Sequence, residues 1–130
     1  MIPRIAMLAG AVLGAVSVAA GAFGAHGLKA FLEAAGQAAN WETAFRYSLV
    51  HAVAIVATGL VAALPQAAGC RGMLTAATIC LVCGTLIFSG CLAALCLSGV
   101  KILGAIVPIC GTLLIAGWVL LAVVALRLAP

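Results

Sequence analysis

Four long apolar segments with short polar connections constrain this chain more than any other feature. The segments run over residues 5–25, 43–64, 73–97 and 103–126. About 20 apolar residues are enough for an α-helix to cross the hydrocarbon core of a bilayer. Apolar residues make up 68% of the chain and charged residues only 6%, too few to cover a water-soluble surface. We therefore predict an all-α integral membrane bundle of four transmembrane helices, forming one domain over residues 1–130.

The connection between the first two segments predicts a short interfacial helix over residues 28–35. Its apolar residues fall on one face, and Lys29 and Glu33 form an i,i+4 pair on the other. Gly36 is expected to end this helix. Asn40 is expected to cap the second transmembrane helix, and Trp41 to anchor it at the membrane surface.

Small residues repeat along one face of the first segment at alternating spacings of four and three. The face consists of Gly10, Gly14, Ser17, Gly21 and Gly24. A groove of small residues lets another helix backbone approach closely, which is the usual basis of helix contact in lipid. We expect this face to pack against protein.

A polar stripe at the start of the second segment is the candidate site. Thr43, Tyr47 and His51 recur every four residues and share a helix face, with Arg46 beside them. Polar groups at membrane depth should face other helices or a wet cavity, because hydrocarbon cannot satisfy them. Tyr47 and His51 are therefore expected to point into the bundle, with Ser89 and the backbone carbonyls freed around Gly104 as the nearest candidate partners. A structural hydrogen-bond clasp and a functional site are both compatible with this pattern.

The fourth segment contains a proline between two glycines. Pro108 removes a backbone donor and frees the carbonyl of Gly104, so a kink is expected there. Gly104 and Gly111 lie seven residues apart on one face and are assigned to helix packing. The five-residue turn from Ser98 to Ile102 predicts that the third and fourth spanning helices are antiparallel neighbours.

Neither the cysteines nor the histidines indicate a metal, cofactor or catalytic site. Five of the six cysteines lie inside apolar segments, where cysteine behaves as a small apolar residue. The Cys80-x-x-Cys83 spacing has no second pair or histidine nearby. His26 and His51 could in principle flank a haem or quinone ring, but both have structural roles available. The chain contains no aspartate, and no partnered nucleophile is present for covalent catalysis.

Charge contributes little beyond excluding one class of partner. The net charge of +4 is dispersed, without the basic run that nucleic-acid binding requires. The expected topology places three basic residues on each side of the membrane: Arg4, Arg71 and Arg127 on one, and Lys29, Arg46 and Lys101 on the other. The positive-inside rule therefore decides nothing. The free amino terminus slightly favours both termini in the cytoplasm.

The chain resembles a known family along nearly its whole length. The matching motifs are Gly-Ala-Phe-Gly-Ala-His-Gly at 21–27, Trp41-x-Thr43-Ala44 with Tyr47 and His51-Ala52, Phe88-Ser89-Gly90 with Leu92, Ile106-x-Pro108-x-x-Gly111, and Gly117-Trp118. They are similar to those of the small bacterial inner-membrane proteins of the YgdD/YwdK type, the domain of unknown function 423. Cys110 replaces a glycine that is frequent after this proline, and Ala93 and Ala94 lie where an aromatic residue is frequent. The resemblance implies four membrane helices with the termini inside, and no established activity.

Three functions were considered. The leading hypothesis is a non-enzymatic membrane protein that acts through helix contacts, as an accessory or assembly subunit bound to other integral membrane proteins or to itself. The alternative is a small-solute or ion/proton pathway that uses the stripe of Thr43, Tyr47 and His51. An enzyme or cofactor protein is the third and has the least support from the residues.

Overall fold

The computed structural model describes residues 2–128, and four long helices dominate that range. The helices are α1 (Ile2–Ala25), α2 (Lys29–Ala34), α3 (Ala38–Ala63), α4 (Arg71–Ser98) and α5 (Ile102–Arg127), with a 3-10 helix over Pro65–Cys70. All but α2 are long and apolar enough to cross a membrane, since their lengths correspond to about 36–42 Å. The predicted all-α membrane fold, with a short helix between the first two spans, is confirmed.

The spanning helices pack in the order α1, α3, α4, α5. α1 packs mainly against α3, α3 against α4, and α4 against α5, as the short turn between the last two helices predicts. Ten residues of α3 and eleven of α4 are buried, against four each in α1 and α5. The core therefore lies between α3 and α4, and α1 and α5 form the two ends of the row.

α2 and α3 follow each other so closely because glycine ends α2. Gly36 adopts a left-handed conformation, with φ of +65°. The amide of Gly36 donates to the Glu33 carbonyl and that of Gln37 to the Leu32 carbonyl, the hydrogen-bond pair that commonly closes a helix. The chain then turns at once into α3, whose N-cap is Gln37. The sequence-based expectation that Asn40 caps this helix is therefore wrong. Asn40 lies inside the first turn, where its amide nitrogen donates to the Gln37 side chain.

The two remaining connections are equally tight. Leu64 is extended, with ψ of 138°, as expected for a residue that precedes proline, and Pro65 begins the 3-10 helix. Cys70 ends that helix and is buried, although it is the one cysteine outside the four apolar segments. Gly99, with φ of +71°, ends α4 and donates its amide hydrogen to the Leu95 carbonyl at 2.8 Å.

Candidate functional site

His51 is buried near the middle of α3, with 5% of its surface exposed. Because α3 begins at Ala38, His51 lies about 20 Å along a helix of about 39 Å. Its Nδ1 is 2.7 Å from the carbonyl oxygen of Tyr47. Its Nε2 is 3.2 Å from the indole Nε1 of Trp118 on α5. His51 therefore faces other helices, and its partner across the bundle is Trp118 rather than Ser89.

The indole of Trp118 fixes the tautomer of His51. An indole N–H can only donate, so Nε2 of His51 must be the acceptor. The imidazole proton then lies on Nδ1, from which it is donated to the Tyr47 carbonyl. Both ring nitrogens are used and the ring is neutral, the form that costs least at this depth. His51 thus joins α3 to α5.

Tyr47 does not point into the bundle as the sequence suggested, since 46% of its surface is exposed. Its ring stacks on Phe88 of α4, with centroids 5.0 Å apart and planes at 21°. It also lies beside His51, with a centroid separation of 6.0 Å. Tyr47 therefore covers His51 and Phe88 at the rim of the bundle.

The other members of the predicted cluster lie apart from His51. Thr43 is half-buried, and Arg46 is exposed and paired with Glu42 in the same helix. Ser89 is buried on α4 and donates to the carbonyl oxygen of Ala44 on α3, at 2.7 Å. Ser89 therefore bonds α4 to α3. The residues predicted to form one cluster therefore make three separate sets of contacts. These are the exposed ion pair of Arg46, the bond of Ser89 between α4 and α3, and the hydrogen bonds of His51.

The remaining buried hydroxyls are also satisfied within the protein. Ser17 of α1 lies 2.7 Å from Ser48 of α3, oxygen to oxygen. Thr58, Thr78 and Thr85 donate to the carbonyl four residues earlier in their own helices. Over residues 2–128 every buried side-chain nitrogen or oxygen has a hydrogen-bond partner. Of these bonds, the Ser17–Ser48 bond joins two helices, whereas the three threonine bonds stay within one helix.

Three of the six cysteines, Cys70, Cys96 and Cys110, are buried among the helices. All six cysteines are free thiols; Cys83 is exposed on α4 and Cys80 is half-buried. His26 is exposed in the turn after α1. No group of three or more His, Cys, Asp or Glu side chains that could hold a metal occurs in the described part of the chain.

The glycine face of α1 makes its closest contacts at its two ends. A Cβ atom added to Gly10 would lie 2.6 Å from the carbonyl oxygen of Ala52, and one added to Gly24 would lie 2.1 Å from Nε1 of Trp41. That indole nitrogen donates to the Ala20 carbonyl at 3.0 Å, so Trp41 is buried against α1 and is not a surface anchor. At Gly14 the nearest atom would be 3.7 Å away, and at Gly21 none lies within 4 Å.

The tight glycines of the other helices are not those assigned from the sequence. A Cβ atom at Gly104 would lie 3.5 Å from Leu95, and at Gly111 nothing lies within 4 Å. The close contacts are at Gly59, Gly84 and Gly117, where Met7, Leu114 and Leu81 respectively would be 2.7–2.8 Å away. Pro108 lies within α5, which continues through it as helix; the kink remains a prediction.

Comparison with known proteins places this arrangement in a family. A model of the family described as "Protein of unknown function (DUF423)" matches residues 20–111, which include His51 and Ser89. The chain belongs to the DUF423 family. Trp118, the partner of His51, lies beyond the matched residues.

Several DUF423-type relatives match over nearly the whole chain, and all three described here are named as membrane proteins. The UPF0382 membrane protein SH2409 of Staphylococcus haemolyticus is 36% identical, over 92% of this chain and 93% of its own length. The UPF0382 membrane protein YwdK of Bacillus subtilis is 32% identical, over 95% of this chain and 98% of its own length. The UPF0382 inner membrane protein YgdD of Escherichia coli is 33% identical, over 98% of this chain and 94% of its own length. No solved structure matches the chain. With four candidate spans, the chain is a membrane-embedded helical protein.

Proposed function

We propose that this DUF423 protein acts through helix–helix contacts in the inner membrane, as a non-enzymatic accessory or assembly subunit. The observation that carries the proposal is a second small-residue face on α1, opposite the glycines. It consists of four exposed alanines: Ala11, Ala15, Ala19 and Ala22. Spacings of four and three residues place them in an arc of about 80° on an α-helix. Small residues at this spacing allow close helix approach in lipid, and α3 does not cover them.

The position of α1 in the row supports the same proposal. α1 packs mainly against α3, at the end of the helix order, so its outer face is free to meet a helix of another subunit or a second copy. The core favours this role over a pathway. His51 uses both ring nitrogens in hydrogen bonds, which leaves neither free to exchange a proton without breaking a contact.

The test replaces small alanines of this face by a larger side chain while keeping the face apolar. Ala15→Leu with Ala19→Leu adds bulk to the proposed contact. Val12→Leu with Val16→Leu adds bulk on the same helix outside the alanine arc, at positions that are each 54% exposed. The complexes are extracted from native membrane in lipid nanodiscs and weighed by native mass spectrometry. We expect the alanine variant to lose its partner mass and the valine variant to retain it.

Two results would contradict this function. One is a wild-type protein that is monomeric and free of partners in nanodiscs taken directly from the membrane. The other is retention of the partner by both variants. Vesicles reconstituted with the pure protein provide the complementary measurement. A proton, ion or small-solute flux above that of empty vesicles, abolished by His51→Leu, would favour the pathway instead.

The proposed location is the inner membrane, with both termini in the cytoplasm. The inner-membrane assignment of the Escherichia coli relative supports the first part. For the second part, we expect a green fluorescent protein fused to the carboxyl terminus to fluoresce, and an alkaline phosphatase fused there to be inactive. An active phosphatase fusion would reverse the orientation.

A further inference from the structure

A groove between α1, α2 and α3 lies outside the hydrogen-bonded core and has a composition of its own. Its volume is about 570 Å³, within the range of about 300–1,000 Å³ common for small-molecule sites. Its walls are mostly apolar and include Val18, Gly21, Phe45 and Leu49. Gly21 leaves open space in the groove, since no atom lies within 4 Å of the position that its Cβ would take.

The groove has the depth of one membrane leaflet. On α1 it extends from Ser17 to Ala25, and on α3 from Ala38 to Leu49. At 1.5 Å per residue these stretches correspond to about 12 and 16 Å, close to half of a hydrocarbon core of about 30 Å. Its shallow end lies where α1 ends, α2 crosses and α3 begins, so the groove runs from the membrane surface towards the midplane.

Four of the eight charged residues of the chain line this groove. The protein has two acidic residues in all, and both of them, Glu33 and Glu42, line this groove. Lys29 and Arg46 line it too, each forming an i,i+4 ion pair with one of the acids. The four charges sum to zero, with two of each sign. The side chains of the pairs are 59–67% exposed, and exposed pairs contribute little stability, so a ligand can exchange partners with them at small cost.

We propose that this groove binds a zwitterionic phospholipid whose headgroup carries a primary ammonium group. The phosphate lies between Lys29 and Arg46, because both side chains donate hydrogen bonds to phosphate oxygens. The ammonium group donates to Glu33 and Glu42. One acyl chain occupies the apolar groove past Gly21. Charge complementarity selects this lipid, because an anionic headgroup leaves the carboxylates without a counter-charge and a quaternary amine has no N–H to donate.

The first test measures lipid retention by native mass spectrometry. The full chain is purified in the presence of equal amounts of phosphatidylethanolamine, phosphatidylglycerol and phosphatidylcholine. We expect phosphatidylethanolamine to be retained preferentially, and the preference to fall about fivefold when Glu33→Gln and Glu42→Gln remove the acidic pair. Equal retention of the three lipids by the wild type, or an unchanged preference in the double variant, would overturn the headgroup assignment.

The second test fills the groove. Gly21→Leu places a side chain in open space along the path of the acyl chain, and we expect it to lower retention of the bound lipid on the order of tenfold. Gly90→Leu is the matched control. It makes the same exchange on α4 at an exposed glycine with no atom within 4 Å of its Cβ position. Equal retention by the two variants would overturn the groove as the site.

A third measurement needs no change in the groove. Trp41 lines the groove and Trp118 does not, and these are the two tryptophans of the chain. In a Trp118→Phe variant, reconstituted in phosphatidylcholine, fluorescence reports Trp41 alone. We expect phosphatidylethanolamine with brominated acyl chains to quench Trp41 saturably at low mole fraction. Quenching that merely follows the bulk fraction, as for brominated phosphatidylcholine, would contradict the proposal.

Discussion

Two glycines on the same face of α1 are expected to respond to alanine in opposite directions. A Cβ atom at Gly10 would lie 2.6 Å from the carbonyl oxygen of Ala52, and 2.6 and 2.9 Å from side-chain and backbone atoms of Val56. At Gly21 no atom lies within 4 Å. The same substitution therefore meets helix backbone at one position and open space at the other.

The contacts set the size of each effect. Backbone atoms of α3 cannot rotate away as a flexible side chain can, so Gly10→Ala must move α1 outward along its main interface. Overpacking of this kind costs about 1–3 kcal/mol, whereas alanine gains about 0.5–1 kcal/mol over glycine within a helix. We expect Gly10→Ala to lower the free energy of unfolding by about 0.5–2 kcal/mol. Gly21→Ala should raise it by up to about 1 kcal/mol.

The assay is reversible unfolding in mixed micelles of phospholipid and sodium dodecyl sulfate, followed by far-UV circular dichroism and tryptophan fluorescence. Equal helix content of the folded variants is the control, because it shows that both alanines lie in intact helices. The reasoning is refuted if Gly10→Ala is as stable as Gly21→Ala, or more stable. That result would mean that α1 and α3 are not in close contact at Gly10.

Three further experiments test the hydrogen bonds between helices, all in the same unfolding assay. A double-mutant cycle of His51→Leu and Trp118→Phe should give a coupling energy of about 0.5–1.5 kcal/mol; strictly additive effects would exclude a direct bond. Ser89→Ala removes the donor to the Ala44 carbonyl and should cost about 0.5–1.5 kcal/mol, whereas an unchanged midpoint would count against that bond. Trp41→Phe removes a buried indole N–H bonded to α1 and should cost at least about 1 kcal/mol; a neutral effect would contradict its placement.

The sequence was sufficient for the number and type of the spanning helices, because each apolar segment is long enough to require one. It was less informative about where the helices begin. α3 starts at Ala38, five residues before its apolar segment, because hydropathy detects entry into the apolar region and not the first helical turn. The 3-10 helix over Pro65–Cys70 went unrecognised for a related reason, since its polar and small residues also suit a turn.

Apart from the pairing of α4 with α5, which the short turn between them predicts, the order of the helices could not be read from the sequence. The spanning helices are apolar on most faces, so periodicity does not say which face meets which neighbour. Gly10 and Gly21 illustrate the difficulty. They share one face and one spacing pattern, yet only Gly10 lies against backbone, because the separation of two helices varies along their length.

The polar site was predictable along one helix and not across the bundle. The four-residue spacing placed Tyr47 and His51 on one side of α3, and Tyr47 does supply the carbonyl that His51 binds. The partner on α5 escaped notice because Trp118 lies in an apolar segment, so its sequence context is that of a lipid-facing residue. In the structure 46% of its surface is exposed. The available signal was that an indole N–H at membrane depth requires an acceptor.

The hydrogen bond between His51 and Trp118 joins α3 directly to α5. α5 packs mainly on α4, and it also meets α3, where Cys110 and Leu114 cluster with Ala44. Within residues 2–128, the one side-chain hydrogen bond between α5 and α3 joins Trp118 to His51. It exists only while His51 is neutral with its proton on Nδ1, because a proton on Nε2 would face the indole N–H. With both ring nitrogens bonded, His51 is suited to holding α3 and α5 together within the protein.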